Sequence, residues 1–177
     1  MPNNHLIEIL LDSSGINILR DNSDLFSQNK EKFQLYLCPT VLEEFANMNA
    51  INATKLFELP MQEQIDFLKA RVAKHEHFIK LLLQLIKFNP KYVNDGVFVL
   101  SHSRLDCCNF GDINLYKYFL KETKTNVSDA CIAATAVENG FYLLTKDSWL
   151  YKKMKERNYK VLSLDDISDY FAHTTEE

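Results

Sequence analysis

The sequence predicts an α/β fold, in which helices cover both faces of a parallel β-sheet and so give three layers. Five short apolar runs, at residues 6–11, 33–38, 97–100, 141–144 and 161–164, are typical of strands that are buried on both sides. Segments with helical periodicity or helix-capping residues separate these runs. Strands that alternate with helices in this way form parallel sheets through right-handed crossovers.

In the first half of the chain, each strand is followed by residues that begin a helix. The Asp-Ser-Ser-Gly sequence at 12–15 offers capping residues for a short helix over 16–22. The second apolar run stops at Pro39, and Thr40 opens the next helix. Apolar residues then recur with a helical period from about residue 62 to 88, which predicts a long helix before the third strand.

In the second half, helices are predicted over 112–122, 128–139 and 148–157, and a last helix begins near Asp165. Ser128 is the expected N-cap of the second of these helices, because its hydroxyl can accept a hydrogen bond from a free backbone N–H. The four alanines of this helix have small side chains. We therefore expect the helix to lie close against the sheet.

Length and composition indicate a single domain over residues 1–172, with a frayed tail at 173–177. The apolar content of 46% and the aromatic content of 12% are those of globular proteins and exclude wholesale disorder. No apolar run is long enough to span a membrane, and no basic segment precedes the first apolar run as it would in a secretory signal. We expect a soluble, cytoplasmic protein that does not act at a membrane.

Three aspartates stand where predicted strands end or a helix begins. Asp12 follows the first strand, Asp147 follows the fourth, and Asp129 lies in the first turn of the helix that leads into the fourth. Open parallel sheets form their sites beyond the carboxyl ends of strands, where the strand order reverses. Carboxylates gathered there repel one another, and a hard divalent cation such as Mg²⁺ or Mn²⁺ removes that conflict. The pattern predicts a metal site; for each acid alone, a helix cap or a turn residue is the alternative.

Four segments resemble, in order, the motifs of the PIN-domain family, with a layout close to that of the VapC-type ribonuclease toxins. They are Leu-Asp-Ser-Ser at 11–14, Pro-Thr-Val-Leu-Glu-Glu-Phe at 39–45, Asp-Ala-Cys-Ile-Ala-Ala-Thr-Ala at 129–136 and Leu-Leu-Thr-Lys-Asp at 143–147. The last two motifs and their spacing are the specific part of the resemblance. In the second motif the acid precedes a large apolar residue, which favours Glu44 over Glu43. The two cannot both face the site, because neighbours on a helix point about 100° apart.

This resemblance implies a five-stranded parallel sheet of order 3-2-1-4-5 and metal-dependent cleavage of RNA that is single-stranded or lies within a structured RNA. Mg²⁺ or Mn²⁺ would be held by Asp12, Asp129 and Asp147, and water would attack the phosphodiester to leave a 5′-phosphate. Glu44 would orient water or a second ion, and both one and two metals are compatible with the sequence. The side chains expected to hydrogen-bond these carboxylates are Ser14 and Thr145.

The resemblance also implies partners. The net charge of −4 argues against a broad basic surface, but cations are concentrated after the fourth strand, where the candidates for RNA contact are Lys146, Lys152 and Lys153. The segment from about 50 to 95 is longer than in compact toxins and is interpreted as a helical insertion or clip. In the toxin branch, helices at this point form the clip that the homodimer and the antitoxin protein use.

Two other functions compete with a metal-dependent ribonuclease. The family often has an acid two residues before Asp129, and here Val127 stands there. The alternative is therefore a catalytically silent PIN module that binds RNA or a protein partner. A haloacid-dehalogenase type of phosphohydrolase ranks lower, because it needs an aspartate two residues after the first and Ser14 occupies that position.

Overall fold

Five parallel strands form one sheet in this computed structural model, which describes residues 6–46, 59–69, 81, 83–96, 109, 111–122 and 126–173. The strand order is β3-β2-β1-β4-β5. The fold class and the strand order predicted from the sequence are therefore confirmed. In chain order the elements are β1 (Ile7–Leu11), α1 (Ser13–Asp21), α2 (Ser23–Gln28), a 3-10 turn (Lys30–Lys32), β2 (Phe33–Leu37), α3 (Pro39–Ala46), α4 (Met61–Lys69), β3 (Lys91–Tyr92), α5 (Ile113–Glu122), α6 (Val127–Glu138), β4 (Tyr142–Leu144), α7 (Ser148–Glu156), β5 (Val161–Leu162) and α8 (Leu164–His173).

Strand β1 is the centre of the sheet. Its Ile9 pairs with Leu35 of β2 on one side and with Tyr142 of β4 on the other. Ile9, Leu10 and Leu11 are all fully buried, which explains why the strand is continuously apolar instead of alternating. After β1 the chain adds β2 and β3 on one side, then crosses back to add β4 and β5 on the other. The strand order therefore reverses between β1 and β4, where such folds form their sites.

Helix α6 is buried along most of its length. Its residues 130–136 are all buried, and the helix packs against α5, α3 and β4. The small alanine side chains account for this close packing. The predicted cap was wrong: Asn126, not Ser128, is the N-cap, and its side chain accepts a hydrogen bond from the Asp129 N–H at 3.3 Å. The helix begins one residue earlier than expected because Asn126 is also a good capping residue.

The other differences from the predicted elements lie mainly in the middle of the chain. The third strand is the two-residue segment Lys91–Tyr92, within the expected insertion at about 50–95. The apolar run at 97–100, which was expected to be that strand, lies outside the described residues, as does much of the long helix predicted over 62–88. Helix α2 was not predicted, and α8 continues to His173.

None of the helices described by the structure is both long enough and apolar enough to cross a membrane.

Candidate functional site

Asp12 stands at the carboxyl end of β1 and is only 6% exposed. Its backbone N–H donates to the Leu144 carbonyl at 3.4 Å, which continues the pairing of β1 with β4. Its carboxylate is the N-cap of α1: the Gly15 N–H donates to Oδ1, and the Ser14 hydroxyl donates to the same oxygen at 2.8 Å. Burial raises the pKa of Asp12 above the usual 3.8, hydrogen bonds from Thr145, Gly15 and Ser14 oppose the rise, and the charge of Glu44 adds to it.

Ser14 and Thr145 join helix α1 to the end of β4. Their hydroxyl oxygens lie 3.3 Å apart. The Lys146 N–H donates to Ser14 Oγ at 2.7 Å, and the Asp147 N–H donates to Thr145 Oγ1 at 3.0 Å. These bonds hold the two acid-bearing turns together, so Ser14 and Thr145 stand next to the acids they were expected to support.

Asp147 is exposed and is the N-cap of α7. Its Oδ1 accepts hydrogen bonds from the Trp149 N–H at 2.8 Å and the Leu150 N–H at 3.0 Å. Capping and site formation do not exclude each other here, because a carboxylate has two oxygens and the cap uses only one of them.

Asp129 and Glu44 complete a cluster of four carboxylates. Burial raises the pKa of Asp129 from 3.8 to about 6, and the negative charges of Glu44, Asp147 and Asp12, in that order, add to the rise. The other three acids therefore lie within electrostatic range of Asp129. No described residue donates a hydrogen bond to the Asp129 carboxylate, so nothing opposes the rise. We call these residues the acid cluster (Asp12, Glu44, Asp129 and Asp147).

Glu44, not Glu43, faces this cluster. The Ser13 hydroxyl donates to Glu44 Oε2 at 2.7 Å, which ties helix α3 to the start of α1. The charge of Glu44 acts on both Asp12 and Asp129, whereas Glu43 appears among the causes of neither pKa shift. The geometry of α3 thus favours the same residue as the motif register does.

The acid cluster has the donor chemistry that Mg²⁺ and Mn²⁺ prefer, since every donor is a carboxylate oxygen. Its mutual repulsion is what a cation would relieve. However, within the part of the chain that the structure describes, no three His, Cys, Asp or Glu side chains form a group that could hold a metal ion. The cluster is therefore an electrostatically coupled set of oxygen donors and not a closed ligand cage.

The three lysines predicted to contact RNA all have acidic neighbours. Lys146 lies 3.2 Å from Asp21, Lys152 lies 4.0 Å from Glu156, and Lys153 lies 3.1 Å from both Glu122 and Glu156. The side chain of Lys153 is only 19% exposed, whereas that of Lys152 is 66% exposed. Lys152 is therefore the better placed of these two for contact with a phosphate.

Three residues that support the site were missed in the sequence. A side chain on Gly15 would overlap the Leu144 carbonyl, so glycine is what lets α1 approach β4. Ser13 holds Glu44. Asp95 is 3% exposed and accepts hydrogen bonds from Thr40 Oγ1 at 2.9 Å and Thr40 N at 3.3 Å, which fixes the start of the helix that carries Glu44. Only Gly15 has a signal in the local sequence, because it follows the capping Asp12 by three residues. The roles of Ser13 and Asp95 depend on long-range contacts.

Sheet and site together define a doubly wound α/β protein with an acid cluster at the point where its strand order reverses. No protein-family model matches the chain. No curated protein matches it either. Among solved structures, the crystal structure of PAE2754 from Pyrobaculum aerophilum is similar, with a TM-score of 0.49 and 17% sequence identity over 96% of this chain and 99% of that one. At this score and identity the likeness adds nothing to a functional argument, which must come from the site residues.

Proposed function

We propose that the protein is a Mg²⁺- or Mn²⁺-dependent endoribonuclease that hydrolyses RNA phosphodiester bonds and resembles the PIN-domain family. One observation carries the proposal: Asp12 and Asp147, at the carboxyl ends of β1 and β4, act electrostatically together with Glu44 on Asp129, and burial and these three charges raise the pKa of Asp129 to about 6. Perturbed acids that cluster in this way are more typical of functional sites than of structural ones.

The residues of the acid cluster have distinct tasks under this proposal. Asp12, Asp129 and Asp147 hold the cation, and Glu44 orients the attacking water. When bound, the cation supplies Lewis-acid chemistry at a phosphate oxygen and makes bound water more acidic. Ser14 and Thr145 keep Asp12 in place through the hydrogen bonds described above, and Ser13 keeps Glu44 turned toward the other acids. Attack by water on phosphorus would break its bond to the 3′ oxygen, so that one product has a 5′-phosphate and the other a 3′-hydroxyl.

A catalytically silent module that binds RNA or a protein is the second candidate. Two observations favour it: among the described residues no group of three side chains is ready to hold a metal, and the residue two before Asp129 is the uncharged Val127. The homodimer and the antitoxin partner stay predictions, because much of the segment at 50–95 lies outside the described residues. A cytoplasmic location also stays a prediction.

Adjacent glutamates on α3 give a matched test of the enzyme proposal. The full chain is incubated with single-stranded RNA and Mn²⁺ as wild type, Glu44→Gln, Glu43→Gln and Asp129→Asn, and initial cleavage rates are measured. We expect Glu44→Gln and Asp129→Asn to lower the rate by about 100-fold or more, since loss of the groups that position the cation and the attacking water costs on that scale. Glu43→Gln should stay within about twofold of wild type, because that side chain does not act on the cluster.

Metal removal separates the two candidate functions. EDTA should abolish cleavage, and Mn²⁺ should restore it. Cleavage that persists in EDTA, or in Asp129→Asn, would overturn the metal-dependent mechanism. Calorimetric Mn²⁺ binding that Asp129→Asn abolishes, together with no cleavage of any RNA in a random-sequence pool, would favour the silent module.

A further inference from the structure

Trp149 is a large aromatic side chain that remains 44% exposed beside the acid cluster. It follows Asp147 by two residues, and its backbone N–H donates to the Asp147 carboxylate at 2.8 Å. Tryptophan is usually well buried, because its ring has so much apolar surface to remove from water. An indole that is nearly half exposed within one helical turn of a candidate catalytic acid therefore needs an explanation.

The indole is held in a fixed orientation. Its Nε1–H donates to the Glu122 carbonyl at the end of α5. The Lys153 ammonium lies 5.0 Å from the ring centroid, and Glu122 and Glu156 in turn hold that ammonium, each at 3.1 Å. A rigid, partly exposed ring is suited to stacking, because little conformational entropy is lost when a flat ligand covers it.

The far side of α7 has a cavity of about 260 Å³, whose lining includes Thr145, Lys146, Ser148 and Tyr151. Ser148 and Tyr151 are three residues apart and share one face of the helix, whereas Trp149 and Lys153 are four apart and share another. At 100° per residue these two faces are almost opposite. Asp147, at the start of α7, also lines this cavity, so an extended chain that runs from the cavity around this end of the helix to the indole passes Asp147.

We propose that Trp149 is the stacking platform for a nucleobase of single-stranded RNA next to the scissile phosphate. This inference rests on the proposed ribonuclease function and deepens it by assigning a substrate subsite. Aromatic rings stack on any base, so the subsite selects for unpaired bases and not for a sequence. Lys152, whose side chain is 66% exposed on the same helix, is the nearby cation for the phosphate backbone.

Trp149 is the only tryptophan in the chain, so the intrinsic indole fluorescence reports on this position alone. The full chain carrying Asp129→Asn, which keeps RNA intact, is titrated with oligouridylate and with an abasic oligonucleotide of the same length. Anisotropy of end-labelled RNA measures affinity in parallel. We expect saturable quenching by the oligonucleotide that has bases, at the concentrations where the anisotropy rises, and no quenching by the abasic one.

Variants in the same background separate stacking from packing. Trp149→Phe keeps a ring and should stay within about threefold of the parent affinity, whereas Trp149→Leu should bind about tenfold more weakly. Tyr142→Leu is the control: Tyr142 also lies under a lysine, with Lys160 at 5.4 Å, but it stands at the amino end of β4, away from the site. Its removal should leave affinity unchanged.

The inference and the ribonuclease proposal fail in different ways. RNA that binds by anisotropy without quenching, or that quenches equally without bases, would overturn the stacking platform and leave the ribonuclease proposal standing. Equal affinities of Trp149→Leu and Trp149→Phe for RNA would also overturn it. If Trp149 served only to join α7 to α5, both substitutions would remove the indole hydrogen bond to Glu122 and would have the same effect. RNA that does not bind at all would overturn both. The fluorescence titration uses the native side chain, so it decides the question even if a substituted chain folds poorly.

Discussion

The two halves of the acid cluster are built differently. Asp12 and Asp147, the anchored pair, are each the N-cap of a helix, and backbone N–H groups fix one oxygen of each. Asp129 and Glu44, the coupled pair, cap no helix; Glu44 accepts a bond from Ser13, and Asp129 accepts none from any described residue. The fold therefore uses the anchored pair for its own stability and leaves the repulsion at Asp129 unopposed by hydrogen bonds from the described residues.

The contrast is clearest between the two aspartates whose pKa is raised by burial, Asp12 and Asp129. Hydrogen bonds from three groups oppose the effect of burial on the pKa of Asp12. For Asp129, burial and all three neighbouring charges act in the same direction and raise its pKa to about 6. A bound cation would therefore lower the electrostatic free energy most at Asp129, because no hydrogen bond yet offsets the repulsion there.

The largest change in stability is expected from a substitution at Gly15, whose N–H donates to Asp12 of the anchored pair. Gly15→Ala places a methyl group into the Leu144 carbonyl and close to the Asp12 carboxylate, so α1 must move away from β4. We expect the free energy of unfolding to fall by about 2–4 kcal/mol, since the overlap is with backbone that cannot move aside easily. Urea denaturation measures this.

Gly140→Ala is the matched control for that substitution. Gly140 has φ of +69° but nothing within 4 Å of the added methyl group, so only the backbone conformation is penalised. We expect a cost of about 1 kcal/mol. If the two variants were equally destabilised, the close approach of α1 to β4 would not be what matters at Gly15.

Removing a charge from the coupled pair is expected to change the free energy of unfolding by a smaller amount and in the opposite direction. Because the folded state raises the pKa of Asp129, this group favours folding below about pH 4, and that contribution is lost as the pH rises through about 6. Removing the charge with Asp129→Asn should therefore stabilise the cation-free protein at pH 7.5. The shift corresponds to at most about 3 kcal/mol, and solvent screening reduces it to about 1–2 kcal/mol.

The measurement is thermal unfolding in EDTA from pH 4 to pH 8 for the wild type, Asp129→Asn and Asp12→Asn. The gain in stability of Asp129→Asn should grow between about pH 4 and about pH 6 and stay constant at higher pH. Asp12→Asn should gain less, because its carboxylate already accepts hydrogen bonds in the folded state. An Asp129→Asn protein that is less stable than wild type at pH 7.5 would show that the repulsion is not there.

The smallest effect on stability is expected at Ser13. Its bond to Glu44 is solvent-exposed, so Ser13→Ala should change the free energy of unfolding by about 0.5 kcal/mol or less. Under the ribonuclease proposal the cleavage rate should nonetheless fall severalfold, because Glu44 is then free to turn away from the other acids. A rate that stays at the wild-type level would remove Ser13 from the site.

The sequence predicted the parts of the fold that local patterns encode. β1, β2, α6 and α7 are marked by apolar runs or capping residues that act within a few positions. Strand β3 is only two residues, Lys91–Tyr92, and it belongs to the sheet because it pairs with Tyr36 and Leu37. No local pattern distinguishes so short and polar a strand, so the sequence predicts the more apolar run at 97–100 instead.

The site was predictable to a similar extent. Four acids at strand ends and helix starts could be recognised one by one, and the motif register distinguished Glu44 from Glu43. The contacts that bring these acids together could not be predicted, because Ser13 meets Glu44 across 31 positions and Thr40 meets Asp95 across 55. Such pairs depend on how α3 is oriented over the sheet, which no short window of sequence contains.

The central position of β1 also sets when the site can exist. Ile9 pairs with Tyr142. The Ser14 hydroxyl, which donates to Asp12, also contacts the Thr145 hydroxyl, 131 positions further along the chain. Contacts this distant along the chain form late in folding, and during synthesis they must wait until β4 has emerged from the ribosome. An unfinished chain thus carries Asp12 and Glu44 without the two aspartates they act with. Whatever chemistry the cluster performs begins only once the chain has been made beyond Asp147.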